Sequence, residues 1–287
     1  MSTLSYEIVD VFTDRPFAGN PLAVVFGAEG LGRDQMQALA REFHLSETVF
    51  VLPPTVDGAT YRARIFTPEE ELPFAGHPSV GVAVTQLRRG LLPAGVVFQE
   101  CGAGVLPIEV DDGGSATLTG GTPTIGPGLD PIPLLAAVGL AAEDYVGPEP
   151  HRAGCGLDFG YLSVRPDSVS RARVGAAVEG VGDVCVFSWD PTSRTSHTRV
   201  FVPSKGVPED PATGSAALGF GVWLVTSGLL PPDGEFSYIV RQGAELHRPS
   251  TLECTVSAVD GAATRATVTG SVVPIAHGEI AVPPFVG

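Results

Sequence analysis

Two short stretches of the chain gather polar side chains where a helix has to begin. His77 and Ser79 stand in PFAGHPSVG, and Asp210, Thr213 and Ser215 stand in EDPATGSAALG. A helix start presents N–H groups without intrahelical partners and about half a positive charge. Two such starts on one cleft would therefore hold a small anion such as a carboxylate. Capping accounts for any one of these residues: Ser215 and Thr213 can hold backbone N–H groups, and Asp210 can complete a turn before Pro211. It does not account for the pairing of PFAGHP with PATGSA, each beside an acidic loop. Glu47 opens the apolar run TVFVLPP. As a strand-entry residue it is solvated. At the mouth of a cleft, desolvation would raise its pKa toward neutrality and suit it to proton transfer, with His77 binding a polar group or assisting.

The elements that must position these residues are repeated. RIFTPEEELPFAGHPSVGVAVTQLRRGLLP runs from Arg64 to Pro93, and RVFVPSKGVPEDPATGSAALGFGVWLVTSGLLP from Arg199 to Pro231. Gly76 and Gly90 are 14 positions apart, as are Gly214 and Gly228, and the acidic loop is three residues longer in the second copy. The copies lie 135 residues apart, which predicts two domains of one architecture, residues 1–122 and 123–275, with the final dozen residues packing back on the first. The Gly/Pro-rich stretch GGTPTIGPGLDPIP, Gly120 to Pro133, is the expected linker. Pro78 is expected at the first helical position and Gly90 and Gly228 just past the helix ends. The two helices are apolar nearly all round, which predicts burial on every side. Gly81, Gly219 and Gly221 each cost about 1 kcal/mol of helix propensity, so close approach of strands is their expected role. LGRDQMQALAREF reads as an amphipathic surface helix before the Glu47 strand. The fold expected is α+β: two pseudo-symmetric domains, each an antiparallel β-sheet or barrel wrapped around a central α-helix.

Composition excludes several classes. A chain of 287 residues with 44% hydrophobic content has length for about two domains. Only 17 basic residues against 32 acidic ones leave no cationic stripe for nucleic acid. The apolar stretch Ala216 to Val225 is too short for a membrane span, and MSTLSYEIVDVF does not read as a signal peptide, so a cytoplasmic protein is expected. Cys101, Cys155, Cys185 and Cys254 form no CxxC pair and read as reduced thiols. His44, His151, His197, His247 and His277 are isolated and no HExxH is present, so no metal is expected. RAGCGLDFG lacks nucleotide-loop spacing, and Lys205, the single lysine, reads as an exposed loop residue rather than a pyridoxal phosphate anchor. A serine hydrolase built on Ser215, His77 and Asp210 has the residue types of a triad but no G-x-S-x-G elbow.

DVFTDRPFAGNPLAVV, LSETVFV, RIFTPEEELPFAGHPSVGVA, RVFVPSKGVPEDPATGSAALG and RQGAELHRPS resemble, in order from Tyr6 to Ser250, the successive motifs of the PhzF family. The resemblance implies the diaminopimelate epimerase-like fold, with the active site between two pseudo-symmetric domains, no cofactor and a homodimer. It implies an isomerase moving a proton on a small carboxylate-bearing substrate, similar to trans-2,3-dihydro-3-hydroxyanthranilate isomerase. Carried over position by position, Glu47 matches the general acid/base. Gly76, His77, Asp210, Gly214 and Ser215 match the substrate-binding and catalytic surroundings, with His77 and Asp210 counted as catalytic. Related racemases use two cysteines where this chain has Ala75 and Thr213, which disfavours two-thiol racemisation. The competing expectation is a non-catalytic small-anion-binding protein on the same fold.

Overall fold

A computed structural model describes residues 2–202 and 207–284 of the chain. It divides into two compact units, Met1–Leu118 with Thr269–Gly287, and Thr119–Val268. Lys205 lies outside the described residues.

In the first unit β1 (Thr3–Val11) and β2 (Asn20–Phe26) form an antiparallel pair. Helix α1 (Arg33–Phe43) then crosses over, so β3 (Glu47–Leu52) pairs with β2 in parallel. The amphipathic reading of α1 holds: Met36, Leu39 and Ala40 bury against Phe50 and Phe66. Strand β4 (Tyr61–Phe66) turns through the two-residue β5 (Glu71–Leu72) into helix α2 (Gly76–Arg88). The chain continues as β6 (Gly95–Cys101), parallel to β4, then β7 (Gly104–Val110) and β8 (Ser115–Thr119). Every residue of α2 from Gly76 to Gln86 is buried, as its apolar circumference requires. A Cβ on Gly81 would stand 2.5 Å from Leu22 Cδ2 and 2.8 Å from Val11 Cγ2, so β1 and β2 approach the helix as closely as glycine permits.

The second unit repeats the plan. It contains β9 (Thr124–Gly128), α3 (Pro131–Ala137), β10 (His151–Gly154), β11 (Asp158–Ser163), α4 (Pro166–Val169) and β12 (Val184–Asp190). Next come β13 (Thr195–Val202), β14 (Val207–Asp210) and helix α5 (Gly214–Thr226). Strands β15 (Gly234–Gln242) and β16 (Ser250–Val259) follow. The long β17 (Ala262–Ala281) ends in the first unit, where its last residues pair antiparallel with β1. Strand β13 is parallel to β15 across α5, as β4 is to β6 across α2. Helix α5 is buried from Gly214 to Val225. Phe220 and Trp223 meet Phe187 with ring centroids 4.7 and 4.9 Å away, and each such buried ring contributes about 1.5–3 kcal/mol. The sheet around each central helix is mostly antiparallel, the parallel pairs occurring where a helix makes the crossover.

Two local expectations are corrected. The Gly/Pro-rich stretch from Gly120 to Pro133 is not an open linker: Thr124–Gly128 is β9, paired with β10. The ladder bulges between His151 and Ala153, and opposite that bulge falls Pro127, which has no N–H to donate. Pro78 is the third helical residue, because α2 starts at Gly76 with Ala75 as its N-cap. An N–H at that position is also without an intrahelical partner, so the proline costs nothing there either. The helix ends fall as expected, with Gly90 at φ 70° and Gly228 at φ 68°. Among the described residues no helix is long and apolar enough to cross a membrane.

Candidate active site

In the first unit the site grows out of two parallel strand starts. The register Leu22↔Glu47 sets the beginning of β2 beside the beginning of β3, which brings Asn20, Ser46 and Glu47 together. The loop before Asn20 is tightly specified. Phe17 and Gly19 have φ of 62° and 66°, and the Phe17 N–H donates to Asp10 Oδ2 at 2.7 Å. A Cβ on Gly19 would also strike the Val11 carbonyl. Ser46 Oγ donates to Asn20 Oδ1 (3.3 Å), and Asn20 Nδ2 lies 3.2 Å from His77 Nδ1. Asn20 is fully buried and so joins the SET motif to the first turn of α2.

His77 is 4% exposed. Burial pushes its imidazole down to about 3, against a smaller opposing effect of a hydrogen bond with the Pro21 backbone. His77 is therefore neutral at physiological pH. Its Nε2 makes no hydrogen bond among the described residues and lies 3.5 Å from Glu47 Oε2. That approach has the distance of an ion pair, but a neutral imidazole makes it a contact between a carboxylate and an uncharged ring nitrogen. Ser79, by contrast, holds the helix. Its hydroxyl donates to the Ala75 carbonyl at 2.9 Å and accepts from Gln99 Nε2 at 2.8 Å.

The depressed imidazole has a thermodynamic consequence. The unfolded chain takes up the His77 proton below about pH 6.5 and the native chain does not until about 3, so stability is full above 6.5 and falls with pH through that window. Urea unfolding at pH 5.0 is expected to give about 2 kcal/mol less stability than at pH 7.0 from this group alone. His77→Gln should remove that difference, and an unchanged pH dependence in the variant would show the burial argument to be wrong.

In the second unit the polar residues of EDPATGS also come together. Thr213 is the N-cap of α5 but makes no side-chain cap. Its hydroxyl donates instead to Asp210 Oδ2 at 2.6 Å and accepts from Gln242 Nε2 at 3.0 Å. Gln242, 3% exposed, also accepts from the Thr213 N–H (3.1 Å) and donates to the Asp210 carbonyl (2.7 Å). Ser250 Oγ ties the Pro211 carbonyl at 3.0 Å. Ser215 is buried in the first turn of α5 and caps nothing. The capping explanation thus fails for Thr213 and Ser215, and in α2 the N-cap Ala75 has no side chain able to cap. Neither helix start is capped by its N-cap side chain, and first-turn N–H groups have no intrahelical partner, which suits an anion.

A hydrolase triad finds no support in these contacts. The ring nitrogen of His77 that an orienting carboxylate would occupy meets Asn20 instead, and the Asp210 carboxylate accepts from Thr213. The four cysteines are free. Burial pushes the Cys155 thiol up to about 12 and also raises those of Cys101, Cys185 and Cys254. None of the four stands at Ala75 or Thr213. Among the described residues no group of His, Cys, Asp or Glu could hold a metal ion. Asn20, Gln99 and Gln242 hydrogen-bond to His77, Ser79 and Thr213, and Ser46 to Asn20; spacing alone did not single out any of the four. Asn20, Ser46 and Gln242 lie within stretches already marked by motif, as GNP, SET and RQG, and that was the available signal.

The chain is similar to known proteins along nearly its whole length. The family model for PhzC-PhzF, phenazine biosynthesis-like protein, matches residues 9–141 and 167–278. An uncharacterized isomerase of Mesorhizobium japonicum is 34% identical, the match covering 98% of this chain and 99% of the relative. The trans-2,3-dihydro-3-hydroxyanthranilate isomerase of Pseudomonas aeruginosa is 32% identical, over 96% of this chain and 98% of its own. The crystal structure of a PhzF-family phenazine biosynthesis protein from Bacillus anthracis superposes with a TM-score of 0.87 at 26% identity, covering 98% of this chain and all of that one. The chain is an isomerase and belongs to the PhzC-PhzF family of phenazine biosynthesis-like proteins.

Proposed function

We propose that the protein is a cofactor-independent isomerase that moves a proton between carbons of a small, unsaturated carboxylate, with Glu47 as the general acid/base. The observation that carries this reading is the Glu47 carboxylate beside the buried, neutral His77, at 3.5 Å. Glu47 takes a proton from a saturated carbon next to the conjugated system, and the electron pair of that C–H bond spreads into it. The resulting carboxylic acid, whose O–H exchanges with solvent, then delivers a proton to another carbon of the same system. Atoms and electrons balance without an oxidant or reductant, so no cofactor enters the scheme. One carboxylate serving both steps suits isomerisation, whereas the related two-thiol racemases set a base on each face of the substrate. His77 Nε2, buried without a hydrogen bond, is suited to a polar group of the substrate. Asp210 is assigned to catalysis with it, and the amides of Gly76, Gly214 and Ser215 to the substrate's carboxylate. The resemblance adds a homodimer acting in the cytoplasm on a small anionic substrate, without nucleic acid or membrane partners.

The test offers trans-2,3-dihydro-3-hydroxyanthranilate, the compound named for the relatives, to protein dialysed against a chelator. Absorbance and proton spectra then follow the double bonds. Turnover with no added cofactor is expected. Saturable binding with neither a rearranged product nor exchange at carbon would instead make the protein a non-catalytic anion binder.

A further inference from the structure

The duplication preserves an ion pair as well as the two helices. In the first unit Arg64 grips Glu71 with both ends of its fork, Nε to Oε1 and Nη2 to Oε2, each at 2.7 Å. In the second unit Arg199 grips Glu209 in the same way, at 2.8 and 2.7 Å. Each glutamate stands five residues before the first residue of the central helix, Gly76 or Gly214. Each guanidinium also lies over the phenylalanine two residues on, at 5.2 Å from the Phe66 ring centre and 5.1 Å from that of Phe201. Even the strand register repeats, Ile65↔Leu72 matching Val200↔Asp210. The three extra residues of the second copy lie between arginine and glutamate; there Arg199 Nη1 also donates to the Val169, Ser170 and Ala172 carbonyls, whereas in the first copy Glu71 also accepts from Arg33.

Stability alone does not account for this repetition. The Arg199 and Glu209 side chains are only 8% and 10% exposed, and taking two charges out of water consumes much of what their attraction returns; Arg64 and Glu71, at 18% and 26%, are more exposed, and solvent screening weakens their pair. A bidentate fork supplies a fixed direction that apolar contacts do not. In each copy that direction is imposed on the few residues leading into the helix start, Leu72 to Ala75 and Asp210 to Thr213.

We infer that Arg64–Glu71 and Arg199–Glu209 are positioning pairs, one per unit, that fix the entry into the central helix and so hold His77 in one unit and the Asp210–Thr213–Gln242 cluster in the other. The pairs do not touch the reacting atoms. Their importance for chemistry rests on the isomerase reading of His77 and Asp210, but their geometric role does not.

The readouts are accordingly independent of turnover. In Arg64→Lys, which keeps the charge and loses the fork, the NMR titration midpoint of His77 is expected to rise by at least one pH unit as the helix start loosens toward water. In Arg199→Lys, hydrogen exchange of the Gln242 side-chain amide is expected to accelerate at least tenfold. The apolar double variants Arg64→Met with Glu71→Leu and Arg199→Met with Glu209→Leu should give the same changes in folded protein, the second with a lowered melting temperature because the Val169, Ser170 and Ala172 carbonyls lose their donor, and they decide the matter where a single variant does not fold. His77 midpoints and Gln242 exchange equal to wild type would overturn the inference, whether or not stability has dropped. Should Glu47→Gln retain full turnover while these shifts occur, the catalytic reading falls and the positioning pairs stand.

Discussion

Glu47→Gln is expected to lower kcat by about a thousandfold while the protein folds as before, within the range that removal of a positioned general base or acid usually costs. Glutamine has the shape of glutamate and keeps an oxygen acceptor, but it cannot take up and return a proton at neutral pH. Glu47 opens a strand pinned by its parallel register with β2, and an isosteric replacement leaves that register and the neighbouring Asn20–His77 contact undisturbed. Steady-state turnover beside thermal unfolding by circular dichroism separates the two effects. A variant that melts with wild type and turns over a thousandfold slower is the expected result. Retention of more than a tenth of wild-type turnover would move the proton-transfer role to another group.

Gly219→Val is expected to destabilise the second unit by at least about 3 kcal/mol, among the largest losses available to a single substitution. A Cβ at Gly219 would stand 2.9 Å from the Ala153 carbonyl and closer still to Tyr161 Oη. Neither neighbour can give way cheaply. Ala153 sits in β10, paired on both sides by β9 and β11, and Tyr161 Oη is held by the hydrogen bond it donates to the Ala216 carbonyl at 2.6 Å. The roughly 0.4 kcal/mol by which valine exceeds glycine in helix propensity is smaller than this clash. Gly30→Ala is the matched control, since no atom lies within 4 Å of a Cβ there. It should fall within about 0.5 kcal/mol of wild type by urea unfolding. Equal stability of the two variants would mean that the strands do not approach α5 as described.

Much of this architecture was legible because it is written twice. Matched glycines 14 positions apart mark where α2 and α5 begin and end, and an apolar circumference on each marks burial. The glycines inside those helices, costly for propensity, are explained by strands that leave no room for a Cβ. What stayed hidden depends on contacts distant in sequence. Glu47 and His77 are 30 residues apart, and no local period brings them to 3.5 Å. A parallel pairing behind α1 and the burial of Asn20 do. Gln242 lies in RQGAELHRPS, which nothing local ties to EDPATGS, yet it makes three hydrogen bonds to Asp210 and Thr213. The Gly/Pro-rich stretch read as a linker because proline and glycine usually interrupt strands, and the bulge opposite Pro127 supplies the exception. Capping by Thr213, the local alternative, fails for a reason that is just as specific. An N-cap threonine ordinarily bonds its own helix, but here the carboxylate of Asp210 takes the hydroxyl first.

The central claim is that one carboxylate, Glu47, carries the proton. It is tested most directly by incubating wild type and Glu47→Gln with trans-2,3-dihydro-3-hydroxyanthranilate in deuterated water and counting deuterium on product carbon by mass spectrometry. Wild type is predicted to place solvent deuterium at the carbon that gains the proton, and Glu47→Gln to place none over the same period. Deuterium incorporation by Glu47→Gln at the wild-type rate would contradict the account.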